Sequence, residues 1–213
     1  MDIETQVAKA LLKIGAVKFD PKNPITFKSG IKSPVYVDNR KLPFHPAEWK
    51  IVLDGFKDVI EKNKINFDIV AGVEAAGIPH SAALGYAMQM PSVFIRKQAK
   101  DHGTKKLVEG GEVSGKKVIM LEDLVSTGIS SLTAVGALRA EGAIVENCLV
   151  IVSYGFEESK KAIADAKVNL LSLTSFPIIL KTAVEMGTLS QADAENIEEW
   201  FADPHGWATK NNF

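Results

Sequence analysis

The sequence predicts an α/β fold: a mostly parallel central sheet flanked by helices, with a small N-terminal hood. Two observations carry this. From residue 67 onward, short apolar runs at 67–72, 92–95, 117–121, 143–152 and 168–173 read as buried strands. Helical patterns opening at Gly77, Ile129, Phe156 and Phe176 separate most of them, and that alternation is the signature of strands joined by crossover helices.

The elements follow in order. Ile3, Val7, Ala10, Leu11 and Ile14 recur at helical spacing, and Gly15 can end that helix. Residues 16–45 break the pattern with four prolines and short alternating pieces such as Val35-Tyr36-Val37. We read 1–45 as an N-terminal helix and hood, and 46–213 as the core with its C-terminal helix. Pro46 can open a helix over 46–62. A last helix is expected over 191–201. Ligands of such sheets bind at the carboxyl ends of the strands.

Composition narrows the class. The 213 residues fit one domain with a peripheral addition. A hydrophobic content of 46% and a charged content of 24% describe a globular chain, with no apolar run of membrane-spanning length. The net charge of −1 gives no global attraction to nucleic acid or membrane. Cys148 is the only cysteine, so no intrachain disulfide forms, and its apolar surroundings suggest core. The acidic start Met1-Asp2-Ile3-Glu4 lacks the basic region of a secretory signal, so the expected location is cytoplasmic.

The densest chemistry lies in Val118-Ile-Met-Leu-Glu122-Asp123-Leu124-Val125-Ser126-Thr127-Gly128-Ile129-Ser130-Ser131. An apolar strand ends in two carboxylates, and a hydroxyl-rich turn then enters a helix. Free backbone N–H groups at a helix start favour a phosphate. Ser126, Thr127 and Ser130 add hydroxyl donors, and Gly128 permits close approach of the backbone. Glu122 and Asp123 would repel a bare phosphate but would accept hydrogen bonds from sugar hydroxyls. The implied ligand is a ribose 5-phosphate. An ordinary capped connection would leave two acids and four hydroxyl residues unexplained. The glycine patterns of P-loops and dinucleotide folds are absent.

This stretch resembles the phosphoribosyl-diphosphate (PRPP) signature of the type I phosphoribosyltransferases. The resemblance implies that Glu122, Asp123, Leu124, Val125, Ser126, Thr127, Gly128, Ile129 and Ser130 bind PRPP.

A second unit, Val70-Ala-Gly72-Val-Glu74-Ala-Ala76-Gly77-Ile-Pro-His80, is also a strand, turn and helix. It matches the family's diphosphate loop, without the lysine that some members carry at the position of Ala76. His80 reads as a helix-surface residue.

A long basic loop, Arg96-Lys97-Gln-Ala-Lys100-Asp-His102-Gly103-Thr-Lys105-Lys106, lies between strands. A cationic lid here could close over a diphosphate and neutralise its charge as it leaves. Lys105 and Lys106 read as solvated surface charge. The pattern is similar to the loop of orotate phosphoribosyltransferases. Arg96, Lys100 and His102 are then expected to complete the partner's site in a homodimer, with Lys97 acting closer to its own subunit.

Phe27-Lys28-Ser29-Gly30-Ile-Lys-Ser33-Pro34-Val-Tyr36-Val-Asp38 reads as a turn and short strand with Tyr36 in the core. It also resembles the hood motif of the orotate enzymes, which implies that Lys28, Tyr36 and Ser126 contact orotate. One departure stands out: the arginine that many orotate enzymes carry after the strand ending near Ser153-Tyr154-Gly155 is missing.

The expected activity is that of a pentosyltransferase (glycosyltransferase) joining orotate to PRPP in pyrimidine biosynthesis. Lys100, His102 and Asp123 carry the catalytic roles, and Mg²⁺ is held mainly by PRPP and water. Transfer to another base, or a non-catalytic PRPP-sensing regulator, are the alternatives.

Overall fold

The computed structural model describes residues 2–27, 30–98 and 106–213. Helix α1 (Ile3–Lys13) begins where the Asp2 side chain accepts a hydrogen bond from the Thr5 N–H at 2.8 Å. Such a cap contributes about 1 kcal/mol. The hood follows as four short strands, β1 (Val17–Phe19), β2 (Ile25–Thr26), β3 (Lys32–Ser33) and β4 (Val35–Val37). They pair as two antiparallel ribbons, β1 with β4 and β2 with β3. A 3₁₀ turn at Asn39–Phe44 leads into α2 (Pro46–Lys62), with proline at its first turn as expected.

The core then alternates: β5 (Ile69–Val73), α3 (Gly77–Met88), β6 (Ser92–Ile95), β7 (Val108–Glu109), β8 (Lys117–Val125), α4 (Ile129–Ala140), β9 (Ile144–Ser153), α5 (Glu157–Asp165), β10 (Asn169–Ser175), α6 (Phe176–Glu185) and α7 (Gln191–Ala202). A short α8 (Trp207–Lys210) ends the chain; no sequence signal had marked it. The main sheet has the order β10-β9-β8-β5-β6-β7. Its first five strands are parallel, and β7 pairs antiparallel with β6 at the edge. This is the mostly parallel, helix-flanked sheet that the sequence predicts.

Period-two alternation sends successive strand residues to opposite faces. Val70, Ile119, Leu121, Leu149 and Ile151 face one core with Phe56, Leu84, Ile179 and Trp200. Ala71, Met120, Cys148 and Val150 face the other, with Val135, Leu138 and Ile163. Cys148 is buried there as a small apolar group. Truncating a fully buried aromatic such as Phe56 to alanine would cost roughly 3–5 kcal/mol. Val7 and Leu11 of α1 join the first core, as do Val17, Val35 and Val37 of the hood, so helix and hood both pack against the sheet without adding strands to it.

One boundary moved. The sequence reading ended the central strand at residue 121, but β8 runs to Val125. Its neighbour β9 continues to Ser153 and pairs with Leu124 and Val125. The acidic pair therefore lies within the strand. Backbone pairing with a neighbour of sufficient length overrides the low strand propensity of carboxylates.

Candidate active site

Glu122 and Asp123 stand near the carboxyl end of β8. Glu122 is buried and folds back, its Oε1 accepting from the Asp123 N–H at 3.1 Å. Burial, reinforced by the neighbouring Asp123 charge, pushes the Glu122 carboxyl up to about 9. Burial raises Asp123 as well. Two carboxylates this close in a low dielectric resist ionising together.

The turn after β8 holds Ser126 and Thr127, both half-buried. Gly128 takes φ +80°, a left-handed conformation that favours glycine, and caps α4 with no side-chain hydrogen bond. The first N–H groups of α4 therefore point out of an uncapped helix end. Ser130 is exposed, while the Ser131 hydroxyl is buried with no partner among the described residues. Leu124 packs against the core and Val125 is buried, so only their backbone could meet a ligand. The Ile129 side chain is 67% exposed.

The second unit is shaped by close approach rather than by polar side chains. A Cβ at Gly77 would lie 2.7 Å from the Leu121 carbonyl oxygen, and one at Gly72 would lie 2.2 Å from Ser81 Oγ. Glycine at both positions lets the start of α3 press against β5 and β8. The Glu74–Ala75 peptide is cis. The Glu74 carboxylate accepts from the Lys97 N–H at 2.9 Å, tying this turn to the foot of the basic loop.

His80 corrects the sequence reading. It is fully buried, and its Nδ1 accepts from Trp49 Nε1 at 2.9 Å. Helix α2 covers this face of α3, with Trp49 against His80. Burial lowers the His80 imidazole to about 4.

Tyr36 is a second correction. Its neighbours Val35 and Val37 are buried, but Tyr36 is 38% exposed on the outer face of β4. The three-residue strand has only one covered side. The Tyr36 hydroxyl accepts from Arg40 Nη2 at 2.8 Å.

Lys28, Lys100 and His102 lie outside the described residues, as do Gly103 and Lys105. At the start of the basic loop, the Arg96 N–H donates to the Leu107 carbonyl at 2.9 Å, and Arg96 Nη1 pairs with Glu109 Oε1 at 3.1 Å. The Lys97 charge reaches Glu122 and favours its ionised form.

Two residues escaped the sequence reading. Asn39 is fully buried and donates from Nδ2 to the Asp123 carbonyl at 2.8 Å, joining the hood to the acidic strand end. Arg40 follows it, close enough for its charge to favour ionised Asp123. The available signal was a run of hydrogen-bonding side chains at Tyr36, Asp38, Asn39 and Arg40, just past the hood motif.

After β9 there is no arginine; the nearest cation is Lys160 of α5, whose side chain lies beside Gly155 and pairs with Glu157 at 2.7 Å. Tyr154 and Phe156 turn inward, and Tyr154 stacks on Phe176 at 5.3 Å and meets Trp200 edge-on at 5.8 Å. Trp200 Nε1 donates to the Lys32 carbonyl at 2.8 Å, holding the hood against α7. Among the described residues, no three His, Cys, Asp or Glu side chains form a metal-binding group.

Carboxylates, hydroxyls and an uncapped helix start at one strand end suit a phosphorylated sugar, the ligand class of a phosphoribosyl-transferring enzyme. Comparison with other proteins agrees. The phosphoribosyl transferase domain family matches residues 42–179. An orotate phosphoribosyltransferase of Coxiella burnetii is 37% identical over 207 residues, spanning 97% of this chain and 99% of the relative. One from Bacteroides fragilis is 39% identical over 208 residues, 98% of each chain. The crystal structure of orotate phosphoribosyltransferase from Aeropyrum pernix superposes with a TM-score of 0.75 at 30% identity, covering 86% of this chain and 99% of that one. The chain belongs to the phosphoribosyl transferase family, among its orotate phosphoribosyltransferases.

Proposed function

We infer that this protein is an orotate phosphoribosyltransferase: it transfers ribose 5-phosphate from PRPP to orotate, giving orotidine 5′-phosphate and diphosphate in pyrimidine biosynthesis. The likeness to orotate phosphoribosyltransferases over 97% of the chain carries this reading. The new bond joins a ring nitrogen of orotate to the anomeric carbon, and the bond to diphosphate breaks. The nucleophile belongs to the substrate, so the protein's part is orientation and stabilisation of the leaving group.

Within that reaction we assign roles to the site. Asp123 and Glu122 accept hydrogen bonds from the ribose hydroxyls. The turn from Ser126 to Ser130 and the uncapped start of α4 hold the 5-phosphate; the open helix end supports this. The 74–77 turn faces the diphosphate. Lys100 and His102 neutralise the departing charge, with Arg96 and Lys97 at the foot of their loop. Lys28, Tyr36 and Ser126 receive orotate. Mg²⁺ carried by PRPP would neutralise diphosphate charge, and the Asp123 carboxylate is an oxygen donor of the hard type it prefers. The working form is proposed to be a homodimer with shared sites. No helix among the described residues is long and apolar enough to cross a membrane, and a cytoplasmic location is proposed.

The direct test is the ultraviolet loss of orotate on adding enzyme, PRPP and Mg²⁺, with uracil, hypoxanthine and adenine in parallel. Consumption of orotate alone supports the reading; consumption of another base overturns it. Site sharing has its own test. A Lys100→Ala chain mixed with an Asp123→Asn chain should regain activity, and no recovery would refute sharing.

A further inference from the structure

The hood carries a guanidinium that none of the roles above uses. Asn39 is pinned to the Asp123 carbonyl at 2.8 Å, so the next residue, Arg40, stands beside the acidic strand end. Its Nε donates to Asp38 Oδ1 at 2.6 Å and its Nη2 to the Tyr36 hydroxyl at 2.8 Å. A guanidinium has five N–H groups. Two are used, which leaves three without a partner among the described residues. The side chain is 61% exposed, and its charge is felt at Asp123.

Tyr36 completes the arrangement. Its hydroxyl oxygen accepts from Arg40, and arginine cannot accept in return. The Tyr36 proton is therefore available to a second acceptor, and none of the described residues takes it. The outer face of β4 thus presents a phenol donor beside unused guanidinium donors. Asp38 holds the Nε edge, which fixes the plane of the guanidinium and leaves Nη1 open. Planar forks of this kind pair with carboxylates through two parallel hydrogen bonds.

We propose that Arg40, with the Tyr36 hydroxyl, binds the carboxylate of the acceptor base and so selects a carboxylated pyrimidine over an uncharged one. The proposal rests on the orotate reading above and supplies what that reading lacks, since no arginine follows β9 and the Lys160 ammonium there is paired with Glu157. Asp38 already balances the Arg40 charge, so recognition comes from hydrogen-bond geometry rather than from net charge. PRPP also carries anionic oxygens that a guanidinium could hold. The two ligands separate in steady-state kinetics.

The test uses the full-length chain with Arg40→Ala, Arg40→Lys and Tyr36→Phe, measuring KM for orotate and for PRPP separately. Charge-assisted hydrogen bonds to a carboxylate predict a rise of about 30-fold in the orotate KM of Arg40→Ala, with the PRPP KM changed less than about 3-fold. Tyr36→Phe should raise the orotate KM about 5-fold, and Arg40→Lys should lie between wild type and alanine. Added guanidinium ion should partly restore the orotate KM of Arg40→Ala, which a purely structural role would not allow. Circular dichroism confirms that each variant folds. An unchanged orotate KM, a rise confined to PRPP, or equal rises for both substrates would overturn the proposal. Wild-type protein that turns over another base instead of orotate would fail the parent reading, a distinct result.

Discussion

Two strand–turn–helix units meet at the same end of the sheet and are built by opposite means. The end of β8 and the turn after it are polar: two carboxylates within the strand, three hydroxyl residues before Ser131, and an uncapped helix behind a glycine at φ +80°. After β5 the turn is small and carries one charged side chain, Glu74. Its design lies in Gly72 and Gly77, where added methyl groups would strike Ser81 and the Leu121 carbonyl. The first unit offers functional groups to a ligand. The second offers backbone, and that backbone must come close to the neighbouring strand. Parallel strands with crossover helices give both units the same frame, while side chains divide the labour.

That contrast can be broken most sharply at Asp123. Asp123→Asn keeps the shape and removes the charge, so we expect kcat/KM to fall by about 10³-fold with the melting temperature nearly unchanged. Activity close to wild type would remove the acid from ribose binding.

Gly77→Ala attacks the other unit through packing. A methyl group 2.7 Å from a backbone oxygen has no flexible neighbour to displace, and a loss of about 3 kcal/mol in chemical unfolding is expected. A shift under about 0.5 kcal/mol would show that α3 can slide away.

The units also respond oppositely to pH. His80, on α3, is lowered from 6.5 to about 4. The unfolded chain binds its proton more readily in that window, so stability falls as pH drops from 6.5 toward 4, by on the order of 3 kcal/mol. Glu122, on β8, is raised from 4.5 to about 9. Here the folded chain binds the proton more readily, so stability falls as pH rises from 4.5 toward 9. Unfolding curves between pH 7 and 9 should decline for the wild type and flatten for Glu122→Gln. Parallel curves would place the Glu122 carboxyl in water.

The mildest probe is Gly128→Ala. The added methyl meets only side chains, the nearest at 3.5 Å, so the cost is that of a positive φ, about 1 kcal/mol. A larger loss in PRPP affinity than in stability would show that the turn's backbone conformation serves the ligand.

The polar unit was legible because its chemistry is local. Glu122 to Ser131 is one continuous stretch, and helix starts at Ile129 and Phe176 could be read from their patterns. The other unit was half legible. Its small residues indicated a turn, but nothing in the sequence said that the surface of α3 at His80 lies beneath Trp49. The hood was legible as a motif and misjudged as packing, because the covered side of a three-residue strand depends on what lies over it.

By itself the sequence determined the parallel α/β frame, the acidic strand end and the hydroxyl turn. Each follows from periodicity and residue type within a few neighbouring positions. Tertiary structure decided how far β8 extends, the burial of His80, and the meeting of Asn39 and Arg40 with Asp123. The Asn39–Asp123 contact spans 84 positions. Contacts at that separation exist only once the hood has folded back over the strand ends, and burial, which moves Glu122 and His80 in opposite directions, is a property of the assembled core rather than of any segment.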